Sequence, residues 1–512
     1  MTYSLARLSG AATAITLLAQ VAAADVTPAD VWADIKAQIE GQGYSVTATE
    51  TRSGNALTLS EMTLEQAEPS ADANITATLP EMTLTGEDDG SVTVSMAESA
   101  PISVTAVVDE DGEQNTFSVD MTLTQSSPGF TVTGDPDAMT YDYASETLAL
   151  ELGEITSSPD PLPEGAELAG GFEMRDVASK SVVTIGALRS VSQTFSAASV
   201  TYEIDAKMPD DEGGEGDVKL AGDIASVAAD GTVDYPLSTD ADMSTDPAAY
   251  LNAGFAMGTT ATFGQATTRM EGTGDGTPFS FASSSESGTY SVGMDRNSFL
   301  LDIGAQGQKL ELTSGQLPFP MSIEMETGAF GLEIPVMKSE TPQGFSATLA
   351  MEDFTMSDDI WKLVDPQSVL PREPMSAALN VNGLLTMLKD LMDPSELVGE
   401  TPPVELNELS LNSLLLKAAG AQLFAQGAAT FDNSDTETFG MPKPTGKVNV
   451  ELTGGNALLD RLIQMGLIQD EMANGMRMMM AMFAVPQGDD TLTSELEINE
   501  DGHIIANGQR IQ

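Results

Sequence analysis

From about residue 44 onward, apolar residues recur at every second position. Leu57 and Leu59, Met62 and Leu64, Met82 and Leu84, Val92, Val94 and Met96, Ile102 and Val104, then Phe117, Val119, Met121 and Leu123 alternate with Thr, Ser, Asp or Glu. Period two turns one side of each strand inward and the other toward water. The joints are acidic and end in glycine: Glu87-Asp88-Asp89-Gly90 and Asp109-Glu110-Asp111-Gly112. Asp-Gly tolerates the positive φ that tight hairpins require. The pattern predicts a long antiparallel β-meander over 44–237. A second β region, 254–356, contains Tyr290–Met294, Phe299–Ile303, Lys309–Thr313, Met321–Met325 and Phe345–Met351. A polar, helix-starting linker, 238–253, lies between them.

One phrase recurs within this pattern. Residues 58–64 read Thr-Leu-Ser-Glu-Met-Thr-Leu, residues 78–84 read Thr-Leu-Pro-Glu-Met-Thr-Leu, and a looser echo runs from Thr348 to Met356. The apolar parity slips by one residue between Leu59 and Met62, and again around Pro80. Such a slip sends later side chains to the other face unless a bulge or bend absorbs it. The phrase therefore predicts a strand–kink–strand corner repeated in adjacent parts of one sheet.

Helices are predicted at both ends. In 25–43, Thr27 is a candidate N-cap, Pro28 fits the first helical position and Asp30 the first turn. Val31, Ile35 and Ile39 form one apolar stripe beside Trp32, and Gly41 ends the helix. The C-terminal region, 357–512, reads as α+β. It holds a helix from Ser357 to Val364, a helix over Leu384–Met392, and a methionine-rich helical hairpin over Asn456–Leu467 and Glu471–Phe483. Strands at Thr491–Ile498 and His503–Ala506 flank the turn Asn499-Glu500-Asp501-Gly502. The fold class is mainly β (α+β): a curved, elongated sheet or groove with an N-terminal helix and a C-terminal helical subdomain.

The first 24 residues change the setting. Arg7 precedes an apolar run from Leu8 to Ala24, which closes on Ala22-Ala23-Ala24. These are the parts of a cleaved export signal, with cleavage expected between Ala24 and Asp25. Periplasmic export is the expectation. No later segment is long and apolar enough to span a bilayer, and without cysteine the chain cannot be a lipoprotein. The 78 acidic against 21 basic residues, net −57, disfavour nucleic acid and anionic membrane surfaces. They suit a soluble protein in a salty medium. The absence of cysteine also rules out disulfides, thiol catalysis and cysteine-bound metals.

Candidate chemistry is sparse. The single histidine, His503, follows a turn, and no second imidazole exists to complete a metal or general-base set. Asp240, Asp242 and Asp246, and Asp109, Asp111 and Glu113, have ligand-like spacing but do not form a calcium loop. Paired carboxylates for glycoside hydrolysis are a matter of geometry alone. Sugar clefts usually carry aromatic platforms, and this chain has 2 Trp and 8 Tyr. No catalytic residue and no cofactor or metal is assigned. The distinctive feature is Met472, Met476, Met479 and Met480 on one helical face, with Met478 and Met482 nearby. Packing against a core, an adaptable apolar groove and Cu(I) binding are the three readings of that face.

The apolar start, the Val31-Trp32 helix, the Glu-Met-Thr-Leu strands, and Leu370-Pro371-Arg372-Glu373-Pro374 leading into Leu379-Asn380-Val381-Asn382-Gly383 form a recognisable set. With the closing Gly466-Leu467-Ile468 and Asp501-Gly502-His503-Ile504-Ile505-Ala506-Asn507-Gly508, they resemble an exported alphaproteobacterial family of unknown function, domain of unknown function 2125. The resemblance runs over most of the chain and implies no activity. The meander and its terminal strand pair also resemble large envelope proteins with open, lipid-holding β-grooves. The leading expectation is a non-enzymatic protein that binds or shields a lipid or other apolar ligand. The alternatives are a structural partner of another envelope protein and a carboxylate-based hydrolase.

Overall fold

The computed structural model describes residues 25–511, apart from 42, 67–72, 111–112, 128, 160, 164, 210–214, 238, 240, 242, 244–245, 275, 394, 397–401 and 436–441. The expected signal, 1–24, lies outside the described residues. Those residues form five helices and one 27-stranded sheet in which every pairing is antiparallel.

The first strands are β1 (Tyr44–Ser53), β2 (Ala56–Gln66), β3 (Ala73–Leu79), β4 (Met82–Gly86), β5 (Val92–Met96), β6 (Ser99–Glu110), β7 (Glu113–Gln125), β8 (Gly129–Asp135) and β9 (Ala138–Ser158). β2 pairs along one half with β3 and along the other with β4. Two ranks of shorter strands, β3–β6–β7 and β4–β5–β8, then rejoin on the 21-residue β9. The next strands are β10 (Glu167–Ile185), β11 (Leu188–Pro209), β12 (Glu215–Pro236), β13 (Ala256–Phe263), β14 (Ala266–Gly274), β15 (Thr277–Ser285), β16 (Ser287–Met294) and β17 (Ser298–Ser314). The sheet forks again here: β12 pairs with both β13 and β14, and the two ranks rejoin on β17. It is therefore continuous across 238–253. The rest runs in order through β18 (Met321–Pro335), β19 (Gln343–Met356), β20 (Met375–Met387), β21 (Val404–Ala418), β22 (Ala421–Asp432) and β23 (Lys443–Thr453). It ends with β24 (Val485–Gly488), β25 (Thr491–Ile498), β26 (Ile504–Ala506) and β27 (Gln509–Arg510).

The repeated phrase is the crease between the ranks. In β2, Glu61 takes φ 53° and the register to β1 shifts between Thr47 and Thr49. Leu59 and Met62 consequently both enter the same core, each fully buried. The second copy breaks into β3 and β4 at Pro80-Glu81, and the two copies pair with each other, Met62 opposite Leu79 and Leu59 opposite Met82. The third copy bulges in β19, where Asp353 takes φ 50° and the register shifts between Met351 and Phe354. Asp176 in β10 and Ser226 in β12 also adopt positive φ, and all four of these residues are exposed. At each, the apolar sequence steps by three instead of two: Leu59 to Met62, Met174 to Val177, Ile224 to Val227, Met351 to Phe354. One extra residue restores the parity, so the apolar side chains stay on one face.

Helix α1 (Pro28–Gly41) closes one end of that face. Thr27 and Asp30 cap it reciprocally: the Asp30 N–H donates to Thr27 Oγ1 at 3.3 Å, and the Thr27 N–H to Asp30 Oδ2 at 3.0 Å. Val31 and Trp32 pack on Val46, Leu57, Leu84, Val94 and Val132, with Ile35 and Ile39 alongside. The Trp32 Nε1–H donates to Glu50 Oε1 at 2.9 Å. Asp34, which the stripe does not include, is buried too; it ion-pairs with buried Arg189 of β11 and accepts from the Tyr141 hydroxyl at 2.5 Å. Burial, then the bond to Asp34, pushes the Tyr141 phenol up. Helix α2 (Pro247–Asn252), capped by Asp246 Oδ1 accepting from the Ala249 N–H at 3.0 Å, brings Leu251 and Phe255 over Val233, Met257 and Phe299 at a second rim. In α3 (Asp358–Val364), Trp361 is buried against β18.

Two expectations fail. Leu384–Met392 is not a helix: Leu384 and Leu385 belong to β20, paired with Gly344 and Gln343 on one side and Glu408 and Leu406 on the other. Two flanking ladders override the helix propensity of a Leu/Met run. Phe299–Ile303 and Lys309–Thr313 are one strand, β17, which passes the crease at Gly307 with φ 58°.

Removing one partner of a buried ion pair leaves an uncompensated charge and costs about 3–5 kcal/mol, whereas apolar replacement of both is often neutral. Asp34→Ala should lower unfolding free energy by about that amount. The double variant Asp34→Leu/Arg189→Met should recover most of it in urea denaturation.

Candidate functional site: the uncovered apolar face

Directly opposed residues in neighbouring strands share a face. One row crosses fourteen strands: Tyr143, Ser179, Phe195, Ala229, Ala261, Tyr290, Ile303, Phe330, Leu349, Leu379, Leu414, Ala425, Val450 and Ser494. Beyond the crease the apolar rows continue, Leu150–Phe172–Tyr202 in β9–β11, and Leu220–Met270–Phe281–Leu312–Met321 from β12 to β18. The helices cover its rims, but between them large apolar side chains stay open: Phe172 36%, Ile204 37%, Leu310 41%, Phe330 41% and Leu349 45% exposed. Such side chains in interior strands of a sheet would ordinarily be covered.

The opposite face is charged. Lys219 pairs with Asp205 at 2.8 Å, Lys309 with Glu311 at 3.0 Å, Lys180 with Asp142 at 3.0 Å, and Lys447 with Glu497 at 2.9 Å. A hollow of about 620 Å³ on this side is edged by Glu151, Glu173, Glu203, Asp205 and Asp223. A smaller cavity of about 390 Å³ lies among the apolar rows near the C-terminus, between β21, β22, β23, β25 and β26. It is lined almost wholly by aliphatic side chains and glycine, so its chemistry is that of hydrocarbon.

The methionines lie elsewhere. Met472, Met476, Met478, Met479 and Met482 in α5 (Asp470–Phe483) are 38–70% exposed, and Met480 is half-buried. Of this helix only Ala473 is buried. The face from Met472 to Met480 is therefore not packed into a core, and it does not line the 390 Å³ cavity. α5 rests on α4 (Gly455–Gln464), where Arg477 binds Asp460 Oδ1 at 2.6 Å and the Asn456 carbonyl at 3.3 Å. The α4 N-terminus begins at Gly454 and borrows its cap from the β24–β25 turn. Asp490 accepts from the Asn456 N–H at 3.1 Å and the Ala457 N–H at 2.9 Å. Burial pushes the Asp490 carboxyl up, but the Ala457 N–H and the Asn456 side chain and N–H outweigh it and hold it below its ordinary 3.8.

His503 is half-buried, and its backbone N–H donates to Asn499 Oδ1 at 3.0 Å. Of the acidic sets, Asp111, Asp240 and Asp242 lie outside the described residues, as do the side chains of Asp109 and Glu113, and Asp246 is the α2 cap. No group of three or more His, Asp or Glu among the described residues could hold a metal ion. The buried carboxylates there are Asp34 and Asp365, in separate networks. Burial pushes Asp365 up, but the N–H groups of Val369 and Leu370 and the nearby Arg372 hold it below the usual range. Among the described residues no helix is long and apolar enough to cross a membrane.

Residues 251–502 match a family described as an uncharacterized protein conserved in bacteria, DUF2125. The DUF2125 stretch begins in α2 and takes in the second fork, the long strands β17–β23 and the α4–α5 hairpin. Leu370–Pro374 and Leu379–Gly383 fall within it; the Val31-Trp32 helix and the Glu-Met-Thr-Leu strands do not. No curated protein and no solved structure matches the chain.

A depressed carboxylate stabilises above its ordinary value and loses that contribution as pH falls through its folded value. The Asp490 cap should thus be complete above pH 3.8 and fade below it. Asp490→Ala at neutral pH should loosen the hairpin by about 0.5–2 kcal/mol. Faster amide hydrogen exchange in α4 and α5, with the β9–β12 amides unchanged, is the expected reading.

Proposed function

We propose that the protein is a non-catalytic carrier or shield for an apolar ligand, a lipid above all, held along the open face of the sheet. The observation that carries this reading is the run of half-exposed Phe, Tyr, Ile and Leu side chains on interior strands, backed by a charged opposite face. Burying a large apolar side chain contributes about 1.5–3 kcal/mol. A lipid chain covering several would be held without any directed polar contact.

The export reading joins this proposal. Arg7 and the apolar run to Ala24 point to a periplasmic setting, where lipid must travel between membranes through water. The strong negative charge fits a carrier that stays soluble while exposing apolar surface, because like-charged copies repel.

The test is native mass spectrometry and organic extraction of the full-length protein purified from bacterial periplasm. Copurifying lipid is expected. Ile204→Glu/Leu310→Glu, at two already exposed positions, should weaken rebinding by about a hundredfold or more. A protein that emerges free of lipid, or a double variant that carries the same load, would end this reading.

A further inference from the structure

The 390 Å³ cavity has a chemistry narrower than the rest of the face. Its walls are Leu409 and Leu411 of β21, Leu496 and Ile498 of β25, and Ile504 of β26. No aromatic ring borders it, whereas Phe and Tyr recur along the open rows. Lys447 and Glu497 also border it, but their side chains turn to the opposite, charged face, where they pair with each other at 2.9 Å.

Glycine shapes it. A Cβ on Gly427 would stand 2.3 Å from the Lys447 carbonyl oxygen, and one on Gly446 2.1 Å from the Ala428 carbonyl oxygen. No side chain fits at either position, so β22 at Gly427 and β23 at Gly446 meet the cavity as bare main chain, beside Ala428, Ala429 and Val448. The backbone groups are already paired in the ladder, Gly427 opposite Val448 and Gly446 opposite Ala429. An ordered water needs two to four polar partners, and this lining offers almost none. The volume lies at the lower end of the roughly 300–1,000 Å³ of small-molecule sites.

We infer that this cavity holds one saturated hydrocarbon chain, the acyl or alkyl tail of a lipid whose head group stays outside. The inference rests on the lipid reading above and deepens it by naming a site and the part of the ligand recognised. Aliphatic walls match an unbranched chain and make no demand on its head. Palmitate and hexadecanol, which share a sixteen-carbon skeleton and differ in charge, should therefore bind alike.

The experiment titrates delipidated full-length protein with each probe by native mass spectrometry and calorimetry. One chain in this cavity, in addition to the open-face load that the Ile204→Glu/Leu310→Glu protein loses, is expected, with similar affinity for both probes. Ile504→Glu should weaken both by about tenfold or more. Ala429→Phe, which fills the space, should do the same, and circular dichroism and melting temperature identify any variant that has lost its fold. The Ile204→Glu/Leu310→Glu protein should keep this one chain. Binding of palmitate without hexadecanol, or unchanged binding in both cavity variants, would overturn the inference. If wild-type protein carries native lipid while the cavity variants carry the same load, the cavity assignment falls and the open face stands. If it carries none, both fall.

Discussion

Parity is the constraint on which everything else depends. In a strand, a one-residue slip sends every following side chain to the other face. This sheet is creased across its width, and each crease could have scrambled its two faces. It does not, because the long strands step by three at the crease, with Glu61, Asp176, Ser226 and Asp353 in left-handed backbone absorbing the extra residue. Left-handed conformation costs roughly 1–2 kcal/mol for a residue with a side chain. Outward-pointing polar residues occupy these positions, as they must if the apolar residues on either side are to face the same way. The result is a sheet with two chemically distinct sides over its whole length.

A one-sided sheet must cover its apolar face or leave it wet. At the N-terminal end α1 covers it, fixed by apolar packing and by Asp34 reaching Arg189 and Tyr141. At another rim α2 and Phe255 do so. Between them, covering elements are absent among the described residues, and the large side chains of β10–β19 stay partly exposed. The other face carries ion pairs of the exposed kind, each worth little individually. The chain as a whole is strongly acidic, with 78 acidic against 21 basic residues, and like charge of that size favours repulsion between copies.

Much of the fold is legible in the chain, because its signals are local. Alternation around Leu57–Leu64 and Phe117–Leu123, the Thr27-Pro28 helix start, the Asn456–Leu467 and Glu471–Phe483 hairpin and the turn at Asn499–Gly502 are written in neighbouring residues. The slip in the repeated phrase announces the corner. Non-local choices are not legible. Nothing in β2 states that its halves take different partners, and nothing near Leu384 reveals the ladders that make it a strand. Asp34 finds Arg189 across 155 positions. Whether an apolar face is covered leaves no trace in its pattern, since a buried stripe and an open one alternate identically. The methionines of α5 show the same ambiguity: their spacing suits core packing, yet they face outward. The aliphatic cavity gives no sequence signal at all, beyond Gly427 and Gly446, whose need for bare backbone emerges only when β22 and β23 are brought together.

The chain has no cysteine, so one can be placed anywhere and read alone. Single cysteines at 172 through 180 of β10, labelled with a polarity-sensitive thiol dye, test the one-sided sheet most directly. Positions 172, 174, 177 and 179 should report an apolar setting, and 173, 175, 178 and 180 an aqueous one, with the phase jumping at Asp176. Strict alternation carried unbroken through Asp176, or equal polarity at every position, would contradict the account.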